Sequence, residues 1–200
     1  MDMKQVDGVT LAHGEGVATS TAPRRRRGGL LLWGTAALGA GIVALLVITV
    51  LRPAGANPLR VTNRPAPDFT MSLYSGGKLH LAALRGKTVV INFWWSGCVP
   101  CQKEAPLLER QWRAWKNKNV VFVGVDEIDD PTTATPRNFL KKYGVTYPNG
   151  WDPGYVDIEY GTTGQPETFI ITPRGSIKYH YAMPFTDDAT LARLIEEARL

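Results

Sequence analysis

The chain has 200 residues, a formal net charge of +5, and a hydrophobic fraction of 44%. This is the composition of a globular protein, and the length allows one ordinary domain with accessory segments. Residues 52–200 carry 18 basic and 15 acidic side chains, which argues against a nucleic-acid-binding protein because such proteins concentrate basic residues on one face.

The N-terminal part of the chain divides into two segments. Residues 1–29 are polar and rich in Gly, Ala and Thr, and they include four consecutive arginines, Arg24 to Arg27. We predict that these residues form a disordered cytoplasmic tail. Residues 30–51 carry no charge, and a helix of this length spans about 33 Å, enough to cross a bilayer core. The sequence therefore predicts a single transmembrane anchor.

The arginines before the span set its predicted orientation. Basic residues favour the cytoplasmic side, so the rest of the chain is expected outside the cytoplasm, tethered to the cell membrane. A cleaved signal peptide is the alternative, because Ala54-Gly55-Ala56 has the small residues of a cleavage site. Secretory apolar regions are usually about 7–15 residues long, and the longer run here favours an uncleaved signal-anchor. Residues 52–65, rich in Pro, Asn and Arg, are predicted as a linker.

Residues 66–200 are predicted as the folded domain. A short hairpin is expected about Ser75-Gly76-Gly77, followed by a helical turn at 81–84. Residues 89–94 are apolar on both faces, which is typical of a central strand. A helix over 99–118 follows, with Leu107, Leu108, Trp112 and Trp115 on its buried face and a kink at Pro106.

The remaining elements complete an alternating pattern. The sequence predicts a strand at 120–125, a helix at 135–143 ended by Gly144, a loop-rich stretch at 147–164 with a short helix at 155–160, a strand hairpin at 168–172 and 177–181, and a final helix capped within Thr186-Asp187-Asp188. This order predicts an α/β fold of three layers, with a mixed central sheet between helices.

The two cysteines of the chain, Cys98 and Cys101, follow the predicted central strand. They stand where the next helix begins, and free backbone N–H groups and the helix dipole stabilise a thiolate there. Because the thiolate attacks disulfides, we expect Cys98 to be the nucleophile and Cys101 to resolve the mixed disulfide. The alternatives are two inert thiols and half of a zinc site, although the chain has no second pair of closely spaced Cys or His ligands.

Val99 and Pro100, between the cysteines, are expected to tune the redox behaviour. Pro100 has no backbone N–H with which to hold the Cys98 thiolate, and neither residue adds positive charge. A less stabilised thiolate makes the reduced form less favoured. We therefore predict a reducing rather than a strongly oxidising dithiol.

Four separated motifs carry a resemblance to a known family. They are Ala66-Pro67-Asp68-Phe69, Asn92-Phe93-Trp94 before the Cys-x-Pro-Cys, Pro106 within the helix, and Gly164-Gln165-Pro166-Glu167-Thr168-Phe169-Ile170-Ile171. Together they resemble thioredoxin-fold proteins of the redoxin (AhpC/TSA-like) type, and most closely the membrane-anchored disulfide reductases of the CcmG/DsbE and ResA/TlpA families. A peroxiredoxin is disfavoured, because its Pro-x-x-x-Thr-x-x-Cys arrangement is missing around Cys98.

The resemblance implies a thioredoxin-like domain whose redox-active disulfide is its only cofactor. It implies reduction of disulfides in apocytochrome c or its partners during cytochrome c biogenesis, with the dithiol regenerated by a membrane electron donor. Two alternatives remain open. One is a general disulfide oxidase or reductase for secreted proteins, and the other is a copper-handling or binding module on the same fold.

The resemblance also assigns roles to residues around the dithiol. Glu104 matches the acid thought to manage the proton of Cys101, although its spacing alone also fits a solvent-facing helix position. Pro166 matches a cis-proline that exposes the backbone of Gln165 to a substrate peptide, and an ordinary trans turn proline is the alternative. Trp95 is expected to face the substrate.

Two further features concern the surface beside Cys98 and the candidate metal ligands. Most relatives carry Trp directly before the first cysteine, whereas this chain has Gly97, which predicts a smaller and flatter surface beside Cys98. His80, His180 and Met183 could be taken for copper ligands, but they are single residues at unrelated spacings. We therefore expect no metal site.

Overall fold

The computed structural model describes residues 58–200 together with Gly41. Within this described part of the chain, no helix is both long and apolar enough to cross a membrane. The tail predicted at 1–29 lies outside the described residues, and so does the span predicted at 30–51 apart from Gly41. Both remain predictions.

Eight strands form one sheet in residues 58–200: β1 Leu59–Pro65, β2 Thr70–Leu73, β3 Lys78–His80, β4 Thr88–Trp94, β5 Val120–Asp126, β6 Asn149–Trp151, β7 Glu167–Ile171 and β8 Ser176–Tyr181. The helices are α1 Val99–Trp115, α2 Thr135–Tyr143, α3 Val156–Tyr160 and α4 Asp188–Arg199, with a 3₁₀ turn at Leu81–Leu84. The prediction of alternating strands and helices is confirmed, and α1 continues through Pro106, which removes one intrahelical hydrogen bond.

The strands lie in the order β1-β8-β7-β4-β5-β6-β2-β3. The pairs β4–β5 and β5–β6 are parallel and the others antiparallel, so the sheet is mixed as expected. β4 lies near the middle and all seven of its residues are buried, which explains why its sequence is a nearly continuous apolar run.

Side chains of β4 alternate between two apolar layers. Val89, Ile91 and Phe93 enter one layer with α3 and the 3₁₀ turn, whereas Val90 enters the other with α1 and α4. Asn92 has the same parity as Val90 and therefore points toward α1. This alternation determines which face of the sheet supports the dithiol helix.

Two predictions were wrong. Residues 59–65, predicted as linker, form β1 and pair with β8; their side chains are mostly exposed or half-buried, so the strand carries no clear apolar pattern. Residues 149–151, predicted as loop, form β6. Trp112 also differs from expectation, since it is only half-buried.

Candidate active site

Three chain segments meet at one edge of the sheet. The parallel strands β4 and β5 both end there, and β7, which is antiparallel to β4, begins there. The loop after Trp94, the acidic segment after Asp126 and the loop before Glu167 are consequently neighbours. This edge, which carries Cys98, is called the dithiol edge below.

Cys98 and Cys101 form a disulfide at the start of α1. Cys98 is the N-cap residue, and its Sγ accepts a hydrogen bond of 3.1 Å from the backbone N–H of Cys101. Both residues are buried, with 5% and 2% of their surface exposed. The pair therefore lies at a helix N-terminus as predicted, with its sulfurs shielded from bulk water.

Val99 and Pro100 form the first turn of α1, and both are exposed. Pro100 offers no N–H, so the hydrogen bond to the Cys98 Sγ comes from Cys101. Within residues 58–200, no Lys, Arg or His side chain donates a hydrogen bond to Cys98. The Cys98 sulfur is thus stabilised by one backbone hydrogen-bond donor and by the helix dipole.

The loop before β7 approaches the dithiol from the other side. The Gln165–Pro166 peptide bond is cis, and the main-chain oxygen of Gln165 lies 3.6 Å from the Cys98 Sγ. Glu167 organises this loop, because its Oε1 accepts hydrogen bonds from the N–H and hydroxyl of Thr163 and from the N–H of Gly164. Gln165 and Pro166 are therefore held against Cys98.

Glu167 is itself held by His180, whose Nε2 lies 2.5 Å from its Oε2. Burial opposes ionisation of Glu167, but the hydrogen bonds from His180 and Thr163 outweigh it and lower the pKa of this carboxyl. The His180 ring stacks on Phe169 at 4.2 Å between centroids. This buried pair gives the cis-proline loop a rigid base.

Glu104 lies one turn beyond Cys101 and is only 1% exposed, so the solvent-facing alternative is wrong. Its Oε1 accepts from the Asn92 side-chain amide at 2.8 Å, and its Oε2 accepts from the Phe185 N–H at 2.8 Å. Burial raises its pKa to about 7, against the opposing effect of these two hydrogen bonds. A carboxyl with this pKa can exchange a proton at neutral pH.

Glu127 is an acidic neighbour of the dithiol that the sequence reasoning missed. It directly follows β5, and its Oε2 accepts a hydrogen bond from the Gln165 side chain, while its Oε1 is buried without a partner among the described residues. Burial raises its pKa to about 7 against the opposing effect of a hydrogen bond from Thr162, and the negative charges of Asp157, Asp152 and Glu167 add to the rise. The sequence does carry one signal for this role, because Glu127 directly follows a predicted strand that ends beside β4.

The loop that leads into Cys98 is fixed by Asp129. One Asp129 oxygen accepts the Ser96 N–H and the other accepts the Ser96 hydroxyl, both at 2.7 Å. The Gln102 side chain donates to the Ser96 carbonyl at 2.9 Å, which ties this loop to α1. The acidic segment after β5 thus supports the dithiol on two sides, through Asp129 and Glu127.

Trp95 compensates for the missing tryptophan before Cys98. A Cβ atom at Gly97 would lie 2.0 Å from Cζ3 of Trp95, so the indole ring covers Gly97. Trp95 also packs against the apolar cluster that contains Cys98 and Cys101. The expected small, flat surface is therefore wrong, because an indole occupies that space from two residues earlier.

The three residues considered as copper ligands do not share a site. His80 lies in β3 and pairs with Asp68 at 2.7 Å, whereas His180 lies in β8 and pairs with Glu167. These strands stand far apart in the order of the sheet. Met183 is half exposed and lines the pocket beside the cis-proline loop.

Together these groups form a site suited to thiol–disulfide exchange. It contains a cysteine at a helix N-terminus, a second cysteine one turn deeper, a buried acid on the same helix, and a main-chain carbonyl beside the first sulfur. A disulfide-containing peptide can approach Cys98 over Gln165 and donate a main-chain hydrogen bond to the Gln165 carbonyl oxygen there.

Known proteins resemble this chain in sequence. A family model described as the AhpC/TSA family matches residues 62–180. The thiol-disulfide oxidoreductase ResA of Bacillus subtilis is 34% identical over 113 residues, which cover 56% of this chain and 62% of that protein. ResA of Bacillus anthracis is 34% identical over 115 residues, with 57% and 65% covered. The chain thus spans less than two thirds of the length of these relatives.

Solved structures show the same fold. A putative thiol:disulfide interchange protein DsbE from Chlorobium tepidum has a TM-score of 0.62 and 27% identity over 68% of this chain and 96% of that one. A secreted Mycobacterium tuberculosis disulfide oxidoreductase described as homologous to E. coli DsbE has a TM-score of 0.58 and 26% identity over 64% and 95%. The thioredoxin-like α/β fold is therefore confirmed.

Proposed function

The chain belongs to the AhpC/TSA family, and from this premise we propose that it is a thiol–disulfide oxidoreductase acting on protein substrates. The observation that carries the proposal is the position of Cys98, which caps α1 and lies 3.6 Å from the main chain of Gln165 beside a cis-proline. The names of the ResA and DsbE relatives support the same activity.

The reaction transfers two electrons from the dithiol to a substrate disulfide. The Cys98 thiolate attacks one substrate sulfur and releases the other as a thiolate, which takes up a proton. Cys101 then loses its proton and attacks Cys98 Sγ, which releases the second substrate thiol and leaves the Cys98–Cys101 disulfide. The protein is oxidised and the substrate reduced.

Glu104 is the proposed acceptor of the Cys101 proton. It follows Cys101 by three residues on α1, so the two side chains lie on the same helix face. Its raised pKa of about 7 allows it to take up a proton at neutral pH. Trp95 is proposed to contact the substrate beside Gly97.

We further propose that the domain works outside the cytoplasm, anchored by residues 30–51, and reduces disulfides in apocytochrome c or its partners. The uncharged span and the preceding arginines support this location, and the missing N–H of Pro100 supports a reducing role. A membrane electron donor would regenerate the dithiol. A general role for secreted proteins is the second candidate, favoured by the secreted disulfide oxidoreductase among the structural neighbours.

The test combines reduction with substrate trapping. The full chain in detergent micelles should accelerate the reduction of insulin by dithiothreitol, and Cys98→Ala should abolish this acceleration. In cells, Cys101→Ala should accumulate a covalent substrate complex through Cys98, identified by mass spectrometry, while Cys98→Ala with Cys101→Ala should accumulate none. An absence of both acceleration and trapping would contradict the proposal, and the trapped proteins decide between cytochrome and general substrates.

A further inference from the structure

A groove runs along α1 away from the dithiol. Its walls are α1 and the segment between β8 and α4, and it encloses about 440 Å³. Its lining consists of Pro100, Lys103, Pro106, Leu107, Arg110, Pro184, Phe185 and Thr186. We call this feature the α1 groove.

The α1 groove is continuous with the dithiol edge. A smaller pocket of about 200 Å³ lies over the cis-proline loop and Met183. Pro100 and Pro184 line both this pocket and the α1 groove. A polypeptide that pairs with Gln165 beside Cys98 can therefore continue into the groove without leaving the surface.

The spacing along α1 sets the length of chain that fits. Residues 100, 103, 107 and 110 recur at helical spacing and so lie on one face of α1. From Pro100 to Arg110 the helix rises about 15 Å, which matches about four or five residues of extended chain. The groove thus accommodates a short extended segment.

The chemistry of the lining is apolar with two cations. The exposed apolar surface of the lining comes from Pro100, Pro106 and the half-buried Pro184, over a floor of nearly buried Leu107 and Phe185. No acidic residue belongs to the lining. Lys103 is exposed and has no ion-pair partner within residues 58–200. Arg110 forms an ion pair with Asp188 at 2.8 Å. The cation closer to the dithiol is therefore free to pair with a bound acid.

The groove wall is also bonded to the interior of the site. The N–H of Phe185 donates to Glu104 Oε2 at 2.8 Å, and the Phe185 ring stacks on Tyr181 at 4.3 Å between centroids. The segment that forms the wall is consequently held in place by the same carboxyl that lies one turn from Cys101. This makes the groove a fixed surface of the site.

We propose that the α1 groove binds the substrate polypeptide that flanks the attacked disulfide, and that it selects a bulky apolar residue together with an acidic residue. This inference rests on the proposed function, which it extends by naming a subsite. Apolar burial against Pro100, Pro106 and Pro184 supplies affinity. Lys103 supplies charge selection, which acts on encounter and register more than on total affinity.

The test uses the full chain in detergent micelles, reduced beforehand, with peptides that carry one cysteine in a disulfide with a fluorescent thiol. The protein dithiol becomes the Cys98–Cys101 disulfide as each peptide disulfide is cleaved to two thiols, and dithiothreitol restores the dithiol between turnovers. Three flanking sequences are compared: phenylalanine with two aspartates, phenylalanine with two lysines, and glycine with two aspartates. Each is placed before the cysteine in one peptide and after the cysteine in another.

On one side of the cysteine, the phenylalanine–aspartate flank should give a kcat/KM about threefold to fivefold higher than the phenylalanine–lysine flank, the range of an exposed ion pair. The glycine–aspartate flank should also react more slowly. Lys103→Glu should reverse the charge preference, whereas Lys141→Glu, an equal charge change on α2, should leave it intact. Equal rates for all flanks, or equal effects of both variants, overturn the proposal.

A separate arm distinguishes this proposal from the proposed function. The same flanking sequences with serine in place of cysteine are titrated against the oxidised protein, and fluorescence anisotropy reports docking without any redox step. A charge preference that depends on Lys103 supports the groove even where insulin and peptides are not reduced. Binding that ignores the flank overturns the groove even where reduction proceeds normally.

Discussion

Glu104 and Glu127 are two buried carboxyls beside the dithiol whose environments differ. Both oxygens of Glu104 accept hydrogen bonds, whereas one oxygen of Glu127 is buried without a partner among residues 58–200. In both, burial is the main cause that raises the pKa to about 7. Each can therefore change its charge close to neutral pH. Their effects are distinguished by mutating one residue at a time.

Glu104→Gln should change how stability depends on pH. Below about pH 4.5 the Glu104 carboxyl is protonated in both states, and between pH 4.5 and about 7 the unfolded chain loses this proton first. The folded state then binds more protons, so stability falls as pH rises through this window and levels off above it. The parent therefore loses roughly 3 kcal/mol of unfolding free energy from this group between pH 4.5 and 8, and Glu104→Gln does not. The unfolding free energy of Glu104→Gln minus that of the parent should rise by this amount.

Urea unfolding of the oxidised protein across this pH range measures the effect. Glu159→Gln is the matched control, because Glu159 is exposed on α3 and its replacement should leave the pH dependence unchanged. Subtracting the parent curve removes the contributions of the other acids. A constant difference between Glu104→Gln and the parent would contradict the raised pKa.

The contact between Glu127 and Gln165 should appear as a coupling in catalysis. Glu127→Ala releases the Gln165 side chain, and Gln165→Ala removes the same hydrogen bond from the other end. In the insulin assay the double variant should therefore be about as slow as the slower single variant. A hydrogen bond of this kind corresponds to a coupling of about 1 kcal/mol, or roughly fivefold in rate.

The control cycle for this prediction pairs Gln165→Ala with Glu159→Ala. Glu159 lies on α3 and is exposed, so its effect should be independent of Gln165 and the rates should multiply. If the Glu127 cycle is also multiplicative, Glu127 does not act through Gln165.

At the scale of the secondary-structure elements, strand prediction succeeded where burial imposes a pattern. β4 and β7 are buried at every residue; β4 is a nearly continuous apolar run, and β7 ends in the apolar residues Phe169-Ile170-Ile171. β6 has three residues, and its Gly150 is required by close approach, since a Cβ there would lie 2.3 Å from the Ser72 carbonyl oxygen. Such a strand is defined by its neighbours β2 and β5, which no local pattern in the sequence reveals.

In the candidate site, too, some residues were predictable from the sequence and others were not. The dithiol was identified from its spacing and its place before a predicted helix, whereas the roles of the cis-proline loop and Glu104 came from the resemblance to a known family. The burial of Glu104 depends on Asn92 and Phe185, which are 12 and 81 residues away. The bond from Gln165 to Glu127 spans 38 residues. Contacts of this kind follow from the packing of the folded chain and not from local sequence.

β1 should contribute stability by covering the edge of the sheet. It pairs with β8 through five residue pairs, although its side chains bury little surface. A chain beginning at residue 66 leaves the β8 edge open, and exposed edges promote pairing between molecules. We expect a loss of roughly 2 to 4 kcal/mol from the missing hydrogen bonds, together with self-association.

A chain beginning at residue 58 is the control, since it keeps β1. Urea unfolding measures the stability difference, and size-exclusion chromatography with light scattering measures the mass. A monomeric chain from residue 66 with unchanged stability would show that the β8 edge needs no cover.

At the scale of the whole molecule, the direction of electron flow is linked to folding. The reduced and oxidised forms, each folded or unfolded, are connected by one thermodynamic cycle. A protein that acts as a reductant is therefore one whose folded state is stabilised more by the disulfide than by the two free thiols. The loop closed by Cys98 and Cys101 is short, and loop-closure entropy alone contributes only about 2 kcal/mol. Any stabilisation of the thiolate by the fold subtracts from this value.

The oxidised chain should therefore be more stable than the reduced chain, by at most about 2 kcal/mol, in urea unfolding at pH 7. The Cys98 sulfur has one backbone donor, from Cys101, and Pro100 supplies none, so the thiolate gains too little to reverse the sign. Cys98→Ala with Cys101→Ala should unfold identically with and without dithiothreitol. A reduced chain that is the more stable form would mean that the fold favours the thiolate, and the domain would then act as an oxidant of its substrates.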